Sequence, residues 1–188
     1  MARLWGDRGG NGSRMIFLNA AAWCMKPYQV LFVCMGNICR SPTAHGVFQS
    51  KLNGLGWSAR VAADSAGTHD YHPGSPPDDR SQAHAIRRGY DLSGLRARRV
   101  RDADFEAYDL ILAMDGDNLA LLQERCPPRH HGKLRLLTEF CHVHQSPVVP
   151  DPYYGGSQGF EHVLDLVEDA CDGLVLFLQA GPVGPSRR

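Results

Sequence analysis

The sequence predicts an α/β protein in which helices cover both faces of a parallel sheet. Two observations lead to this prediction. The continuous apolar run at residues 30–33 is typical of a strand that is buried on both faces, and residues 108–114 repeat this pattern. Amphipathic segments with helical spacing lie between the two runs, at residues 42–54, and after them, at residues 158–178. Strands that alternate with helices along a chain favour parallel pairing.

The first strand ends at Cys34, and the first helix follows within a few residues. Ser41 is a residue type that caps helices, and Pro42 suits the first helical position. The helix is therefore predicted to start at Pro42 and to end near Gly54. The remaining predicted elements are a strand over 60–64, a loop over 67–79, a helix over 81–88, a helix capped by Asp115 or Asp117, a loop over 127–133, a strand over 134–137 and a loop over 145–156.

A chain of 188 residues favours one domain, which we assign to residues 25–180. Residues 1–24 begin with a glycine- and arginine-rich stretch without periodicity, and this composition predicts that the segment is a poorly ordered extension. Residues 181–188 predict a disordered tail. The formal net charge is zero, so no general attraction to nucleic acid is expected. Since no apolar run approaches the ~20 residues of a membrane span, membrane insertion is not expected either.

The six cysteines do not predict a disulfide framework, because a chain of this length can bury a core without one. We interpret them as reduced thiols, which predicts a cytoplasmic protein. A zinc site is an alternative to consider, but the candidate ligands have irregular spacing and are better explained as solvated loop residues. They are Cys126, His130, His131, Cys141, His142 and His144. No metal and no cofactor are expected.

The segment QVLFVCMGNICRSPT, residues 29–43, places a thiol and a guanidinium on one tight loop between a strand and a helix. Ligands of open α/β sheets bind at this position, where backbone N–H groups form a cradle for anions. Gly36 permits a close approach, and Asn37 tolerates left-handed torsions. Arg40 can hold a tetrahedral oxyanion through two parallel hydrogen bonds. The loop lacks the lysine of a nucleotide-binding loop.

Cys34 is predicted to lie at the base of this cradle. The amide dipoles, the helix N-terminus and Arg40 all favour its thiolate form. A thiolate beneath a bound phosphate is arranged for in-line attack on phosphorus. Ser41 can donate a hydrogen bond to the sulfur and assist its departure in a second step.

A phosphate ester also needs a proton donor for its leaving oxygen. The segment VVPDPYYGG supplies Asp151, which lies between two prolines that stiffen the loop. Tyr153 and Tyr154 can form the wall of a slot for a flat substrate.

These motifs together resemble the low molecular weight protein tyrosine phosphatases, from about Gln29 to Leu178. The segments DSAGT, PPDDR and DLILAMD, at residues 64–68, 76–80 and 109–115, also resemble family segments. The resemblance implies a four-stranded parallel sheet in a flavodoxin-like three-layer α/β/α fold, with no metal or cofactor. It also implies hydrolysis of protein phosphotyrosine and small aryl phosphates through a phosphocysteine. Inorganic phosphate or sulfate would fit the same loop.

The resemblance implies a role for each matching position. Cys34 matches the nucleophile, Arg40 the phosphate-binding arginine, and Asp151 the general acid that later activates water. Cys39 matches a cysteine that forms a reversible disulfide with the nucleophile and so protects it from over-oxidation. The other matching positions are the loop residues Met35, Gly36 and Ile38, the polar network of Asn37, Ser41 and Ser65, and the aromatic rim of Tyr71, Tyr153 and Tyr154.

One position departs from the family pattern. Leu95 stands where family members often carry a histidine that supports the loop, so weaker polar support of Asn37 and Ser41 is expected. Two other functions exist on the same fold. An arsenate reductase would need relay cysteines between residues 100 and 115, which contain none. A protein arginine phosphatase would carry threonine in place of the apolar Ile38.

Overall fold

Four parallel strands form one sheet in the computed structural model, which describes residues 26–182. The strands are β1 (Tyr28–Cys34), β2 (Val61–Gly67), β3 (Leu110–Ala113) and β4 (Leu134–Leu136). Their spatial order is β2-β1-β3-β4, and every neighbouring pair is parallel. The predicted α/β fold with a four-stranded parallel sheet is therefore confirmed.

Helices cover both faces of the sheet. They are α1 (Arg40–Gly54), α2 (Asp79–Arg87), α3 (Asp102–Ala107), α4 (Gly116–Arg125) and α5 (Ser157–Ala180), with two short 3-10 helices at Pro128–Lys133 and Leu137–Phe140. One apolar cluster joins α1 and α5 to the sheet, and a second joins α3 and α4 to the opposite face. The layers are therefore α/β/α, as the sequence predicts.

Strand β1 is central, and its side chains supply both clusters. Phe32 packs edge-on against Phe48 of α1, with ring centroids 5.6 Å apart, while Leu31 and Val33 belong to the opposite cluster. This double burial explains the continuous apolar run in the sequence. The chain leaves β1 toward β2 on one side and reaches β3 on the other, so the carboxyl end of β1 lies at the switch point where ligands of such sheets bind.

Several predicted boundaries are wrong. Helix α1 begins at Arg40, and its N-cap is Cys39 rather than Ser41. Ser41 lies within the first turn, because its hydroxyl contacts the sulfur of Cys34 instead of a backbone N–H. Helix α3 was not predicted, since six residues are too few to show a helical period.

The end of β2 and the start of α2 also differ from the sequence prediction. Strand β2 continues to Gly67, and α2 begins at Asp79 because the carboxylate of Asp78 caps it. The predicted extension, residues 1–24, and residues 183–188 of the predicted tail lie outside the described residues. Among residues 26–182, no helix is both long enough and apolar enough to span a membrane.

Candidate active site

A cavity of about 350 Å³ opens at the carboxyl end of β1. All but one of its lining residues were candidates from the sequence, and they come from three separate parts of the chain. The exception is His72, which sequence reasoning missed. The lining residues are Cys34, Met35, Gly36, Ile38, Cys39, Arg40, Tyr71, His72, Asp151, Tyr153 and Tyr154.

The phosphate loop, residues 34–40, follows β1 and rests on the segment that leaves β2. The N–H groups of Thr68 and His69 donate to the carbonyls of Cys34 and Met35, at 2.8 and 3.0 Å. Within the loop, Asn37 adopts a positive φ of 56°, a torsion that asparagine tolerates better than most residues. The loop is thus anchored by its carbonyl groups, which leaves N–H groups free to face an anion.

A buried polar network lies behind the nucleophile candidate. The sulfur of Cys34 is 3.1 Å from the hydroxyl oxygen of Ser41, and the amide of Asn37 donates to the same oxygen at 2.9 Å. The carbonyl of Ala66 lies 3.3 Å from this hydroxyl. All three interacting side chains are buried, so the network has little competition from water.

The Asn37 side chain has a second polar partner besides Ser41, from the segment that follows Leu95. Its Oδ1 accepts a hydrogen bond from the backbone N–H of Arg98 at 3.0 Å. Ser65 is buried in β2, and no hydrogen bond joins its hydroxyl to the phosphate loop within the described residues. Its role in supporting the loop stays a prediction.

Arg40 is buried beneath the cavity and is held by two carboxylates. Its Nη2 donates to Oδ2 of Asp151 at 3.1 Å, and its Nη1 donates to Asp115 and to the carbonyl of Val149, the latter at 3.2 Å. Burial by itself would lower the pKa of the Arg40 guanidinium, but the negative groups at Cys34, Asp115 and Asp151 outweigh it and raise that pKa. A permanent positive charge is therefore maintained at the cavity.

Asp115 is a site residue that sequence reasoning identified only as a possible helix cap. It does cap α4, because its Oδ1 accepts from the N–H of Asn118 at 2.7 Å, while Oδ2 contacts Arg40. The signal available was its place directly after the apolar run of β3, where the carboxyl ends of neighbouring strands meet.

Asp151 lies on the loop between the second 3-10 helix and α5. Its Oδ1 accepts from the N–H of Tyr153 at 3.1 Å. The loop is anchored upstream, where Val149 donates its N–H to the carbonyl of Met114 at 2.8 Å. The side chain of Asp151 is 42% exposed, so the carboxyl group faces both the cavity and solvent.

Aromatic side chains form the mouth of the cavity. The rings of Tyr153 and Tyr154 meet edge-on with centroids 5.0 Å apart, and Tyr71 stacks on His69 at the same separation. The ring of His72 lies close to Gly36 in the loop, since a Cβ added at Gly36 would be only 3.3 Å from that ring. The mouth can therefore enclose a flat group without closing over it.

The two cysteines of the loop differ in environment. Cys39 lines the same cavity as Cys34, but burial raises the pKa of its thiol to about 12. Its carbonyl accepts a hydrogen bond from the hydroxyl of Thr43 at 2.7 Å. Cys39 is therefore held as a protonated thiol next to the phosphate-binding position.

The histidines and cysteines weighed as a zinc site do not come together. His130 pairs with Glu106 at 2.8 Å, and Nε2 of His131 lies 2.9 Å from the carbonyl of Cys126. In the part of the chain that the structure describes, no group of three metal-ligating side chains converges.

Comparison with known proteins gives one consistent family. The sequence model described as "Low molecular weight phosphotyrosine protein phosphatase" matches residues 29–181. A low molecular weight protein-tyrosine-phosphatase of Streptomyces coelicolor is 42% identical over 156 residues, which are 79% of this chain and 92% of that protein.

Two solved structures extend the comparison. A protein tyrosine phosphatase of Entamoeba histolytica, with Hepes in its active site, is 41% identical and superposes with a TM-score of 0.80 over 82% of this chain and 98% of that one. The Wzb protein of Vibrio vulnificus, in complex with benzylphosphonate, is 28% identical with a TM-score of 0.71, over 81% and 100% of the two chains.

Proposed function

The chain belongs to the low molecular weight phosphotyrosine protein phosphatase family, and we propose that it hydrolyses phosphotyrosine in proteins through a phosphocysteine on Cys34. The observation that carries the residue assignment is that Cys34, Arg40 and Asp151 line one cavity. Arg40 and Asp151 are 111 residues apart in the chain, yet their side chains are 3.1 Å apart. A thiol, a fixed cation and a carboxyl group at one cavity are what phosphoryl transfer to sulfur requires.

In the first step, the phosphate of the substrate binds to the N–H groups of the phosphate loop and to the Arg40 guanidinium. The Cys34 thiolate attacks phosphorus, an S–P bond forms, and the bond between phosphorus and the tyrosine oxygen breaks. Asp151 gives its proton to that oxygen, so tyrosine leaves as a neutral phenol. Arg40 and the loop amides stabilise the charge on the transferred group.

In the second step, Asp151 accepts a proton from the water that attacks phosphorus. The S–P bond breaks, inorganic phosphate is released, and the sulfur departs as a thiolate. The hydroxyl of Ser41, 3.1 Å from this sulfur, can donate a hydrogen bond to the departing thiolate. Phosphate is the product, and it or sulfate would occupy the loop in the free enzyme.

The mouth of the cavity supports an aromatic substrate. Tyr71, Tyr153 and Tyr154 present large apolar surfaces there, and Ile38 adds an apolar side chain within the loop. A phosphotyrosine ring between these groups would make stacked and edge contacts. The related Wzb protein has been crystallised with benzylphosphonate, a compound that also joins an aromatic ring to a phosphorus group.

We also propose that the protein is cytoplasmic and that its activity responds to oxidation. The five described cysteines are all free thiols, which suits a reducing compartment. Cys34 and Cys39 line one cavity, which supports a reversible disulfide between them.

A substrate panel tests the proposed function. Phosphotyrosine, phosphoserine and phosphoarginine peptides should be assayed with wild-type protein and with Cys34→Ser, with phosphate release as the measurement. We expect wild-type activity on phosphotyrosine alone and no turnover by Cys34→Ser, which should still bind phosphate. Preferential hydrolysis of phosphoarginine, or turnover by Cys34→Ser, would contradict the proposal.

The Asp151→Asn variant tests the general acid. Loss of the proton donor should lower kcat/KM for phenyl phosphate by about 10²–10⁴-fold, because phenolate is a poor leaving group. Dinitrophenyl phosphate should be much less affected, since its leaving group departs without a proton. If the variant hydrolyses phosphotyrosine at the wild-type rate, the assignment of Asp151 is wrong.

A further inference from the structure

Arg80 makes several contacts with the loop that carries Asp151, although it lies on α2. Its Nη1 donates a hydrogen bond to the carbonyl of Tyr153 at 3.0 Å. The same guanidinium lies over the ring of Tyr153, 5.3 Å from its centroid, and over the ring of Phe160, at 4.9 Å. These contacts hold the acid loop, residues 150–156, and the start of α5 against α2.

Asp78 fixes the orientation of Arg80. Its two carboxylate oxygens accept from Nε and Nη2 of Arg80 at 3.0 and 2.8 Å, which is the bidentate geometry of a strong arginine–carboxylate pair. The pKa of Asp78 is lowered chiefly by this hydrogen bonding to Arg80. In addition, the N–H of Asp78 donates to the carbonyl of Ile38 in the phosphate loop at 2.8 Å.

The contacts form a continuous connection between the two halves of the active site. It runs from Ile38 through Asp78 and Arg80 to the carbonyl of Tyr153. The N–H of Tyr153 then donates to Oδ1 of Asp151, whose Oδ2 accepts from Arg40. Each carboxylate oxygen of Asp151 therefore has its own partner, Oδ2 the Arg40 guanidinium and Oδ1 the N–H of Tyr153 in the acid loop.

We propose that the Asp78–Arg80 pair is a strut that sets the position of Asp151 over the phosphate loop. Arg80 is then a positioning residue for the proton transfer, and this proposal rests on the assignment of Asp151 as the general acid. Proton transfer needs a donor within about 2.6–3.2 Å of the leaving oxygen, and a misplacement of about 1 Å can cost about 10²-fold in rate. Prolines stiffen the loop locally, but they do not set its distance from the cradle.

The pair contributes little to the core. Arg80 is about half exposed, at 47%, and exposed ion pairs add little to global stability. Removal of Arg80 should therefore leave a folded enzyme in which the acid loop has lost an anchor. The effect should be confined to the step in which Asp151 donates its proton.

The test is the dependence of kcat/KM on the leaving group in a series of aryl phosphates. For Arg80→Ala we expect about a tenfold loss with phenyl phosphate and an unchanged value with dinitrophenyl phosphate, because only the first needs the proton. Asp78→Asn, which keeps a capping side chain for α2 but loses the charge, should behave alike. The double variant should lose no more than either single variant, since both remove one connection.

Arg87→Ala is the matched control, because Arg87 lies on the same helix and pairs with Glu161 rather than with the acid loop. It should show the wild-type dependence on leaving group. If Arg80→Ala also shows the wild-type dependence while Asp151→Asn shows a steep one, the strut is refuted and the general acid stands. If Asp151→Asn shows no steep dependence, the proposed function itself fails at that residue.

Discussion

The hydroxyl of Ser41 lies between the Cys34 sulfur and the Asn37 amide, and the contact with Asn37 determines how its oxygen takes part in hydrogen bonding. Asn37 donates to it at 2.9 Å, so the oxygen is an acceptor in that contact. Its own proton can go to the Cys34 sulfur at 3.1 Å or to the carbonyl of Ala66 at 3.3 Å, and a charged sulfur is the stronger acceptor of the two. A hydrogen bond to a thiolate matters most when the S–P bond breaks and charge returns to sulfur.

Ser41→Ala should therefore slow the second step more than the first. Hydrogen bonds to charged groups contribute about 1.5–3 kcal/mol, which corresponds to a loss in kcat of about ten- to a hundredfold. With nitrophenyl phosphate as substrate, stopped-flow measurement of Ser41→Ala should show a burst of about one equivalent of nitrophenol per enzyme, because phosphocysteine accumulates in this variant. A wild-type kcat without a larger burst would exclude this role for Ser41.

The proposed protection of Cys34 by Cys39 makes a prediction about pH. In that proposal, peroxide would oxidise the Cys34 thiolate to a sulfenic acid, and the Cys39 thiolate would then displace hydroxide from it to form a disulfide. Because burial raises the pKa of the Cys39 thiol to about 12, its thiolate is scarce at neutral pH. Disulfide formation should therefore accelerate as the pH rises.

In Cys39→Ala, activity lost to peroxide should return poorly after treatment with a thiol, because over-oxidised Cys34 cannot be reduced. Wild-type protein and Cys126→Ala should recover, since Cys126 lies in the apolar cluster on the α3–α4 face of the sheet. Full recovery of Cys39→Ala would remove the protective role.

At the scale of elements, the end of β2 supports the phosphate loop through a close backbone approach. A Cβ on Gly67 would lie 2.7 Å from the carbonyl oxygen of Met35 and 3.0 Å from that of His69. Backbone atoms cannot move away as a flexible side chain can. Glycine at this position is therefore required by the contact between β2 and the loop.

Gly67→Ala should displace the loop from β2, with a loss of about 1–3 kcal/mol in the free energy of unfolding and a marked fall in kcat. Thermal unfolding and phosphotyrosine hydrolysis measure the two effects. Gly54→Ala is the matched control, since a Cβ there meets nothing within 4 Å. It should be neutral or stabilise by up to about 1 kcal/mol. Equal behaviour of the two variants would contradict the packing argument.

Helix α4 contributes to the site through its cap. Asp115 is at the junction of β3 and α4, where one carboxylate oxygen satisfies the helix and the other holds Arg40. Helix α4, on one face of the sheet, thereby helps to orient Arg40, which belongs to α1 on the other face. The guanidinium is therefore held by the β3–α4 junction and by the loop that precedes α5.

At the scale of the whole molecule, Glu161 of α5 joins two helices that are far apart in sequence. Its carboxylate pairs with His84 of α2 and with Arg88, the residue that follows α2, the latter at 2.5 Å. Hydrogen bonds from His84 and then Arg88 lower the pKa of Glu161 from an ordinary 4.5 to about 2. A lowered carboxyl pKa stabilises the fold above pH 4.5, and this contribution is lost as the pH falls toward 2.

Glu161→Gln should lower the free energy of unfolding at neutral pH by about 1 kcal/mol, because the pair is partly solvated. The difference from wild type should shrink between pH 4.5 and about 2, the interval over which the wild-type carboxylate becomes protonated. Urea unfolding across this range measures it. Glu124→Gln, at an exposed position on α4, is the control and should show no such convergence. A constant difference would contradict the linkage.

Local patterns were sufficient for most of the fold. The apolar runs predicted β1 and β3 because strands buried on both faces must be apolar throughout, and α5 showed its helical period over 24 residues. Helix α3 was missed because six residues carry too little periodicity. The start of α1 was misplaced because serine is a common N-cap residue, whereas the hydroxyl of Ser41 contacts the sulfur of Cys34 instead.

By itself, the sequence determined the fold class, the family and the chemical types at the phosphate loop, since all of these depend on residues close together in the chain. Only the tertiary structure decided which distant groups complete the site. Asp115 on Arg40, the backbone of Arg98 on Asn37, and Arg80 on the acid loop join segments that are 75, 61 and 73 residues apart. Such contacts follow from how strands and helices pack, and no local pattern encodes the distance between them.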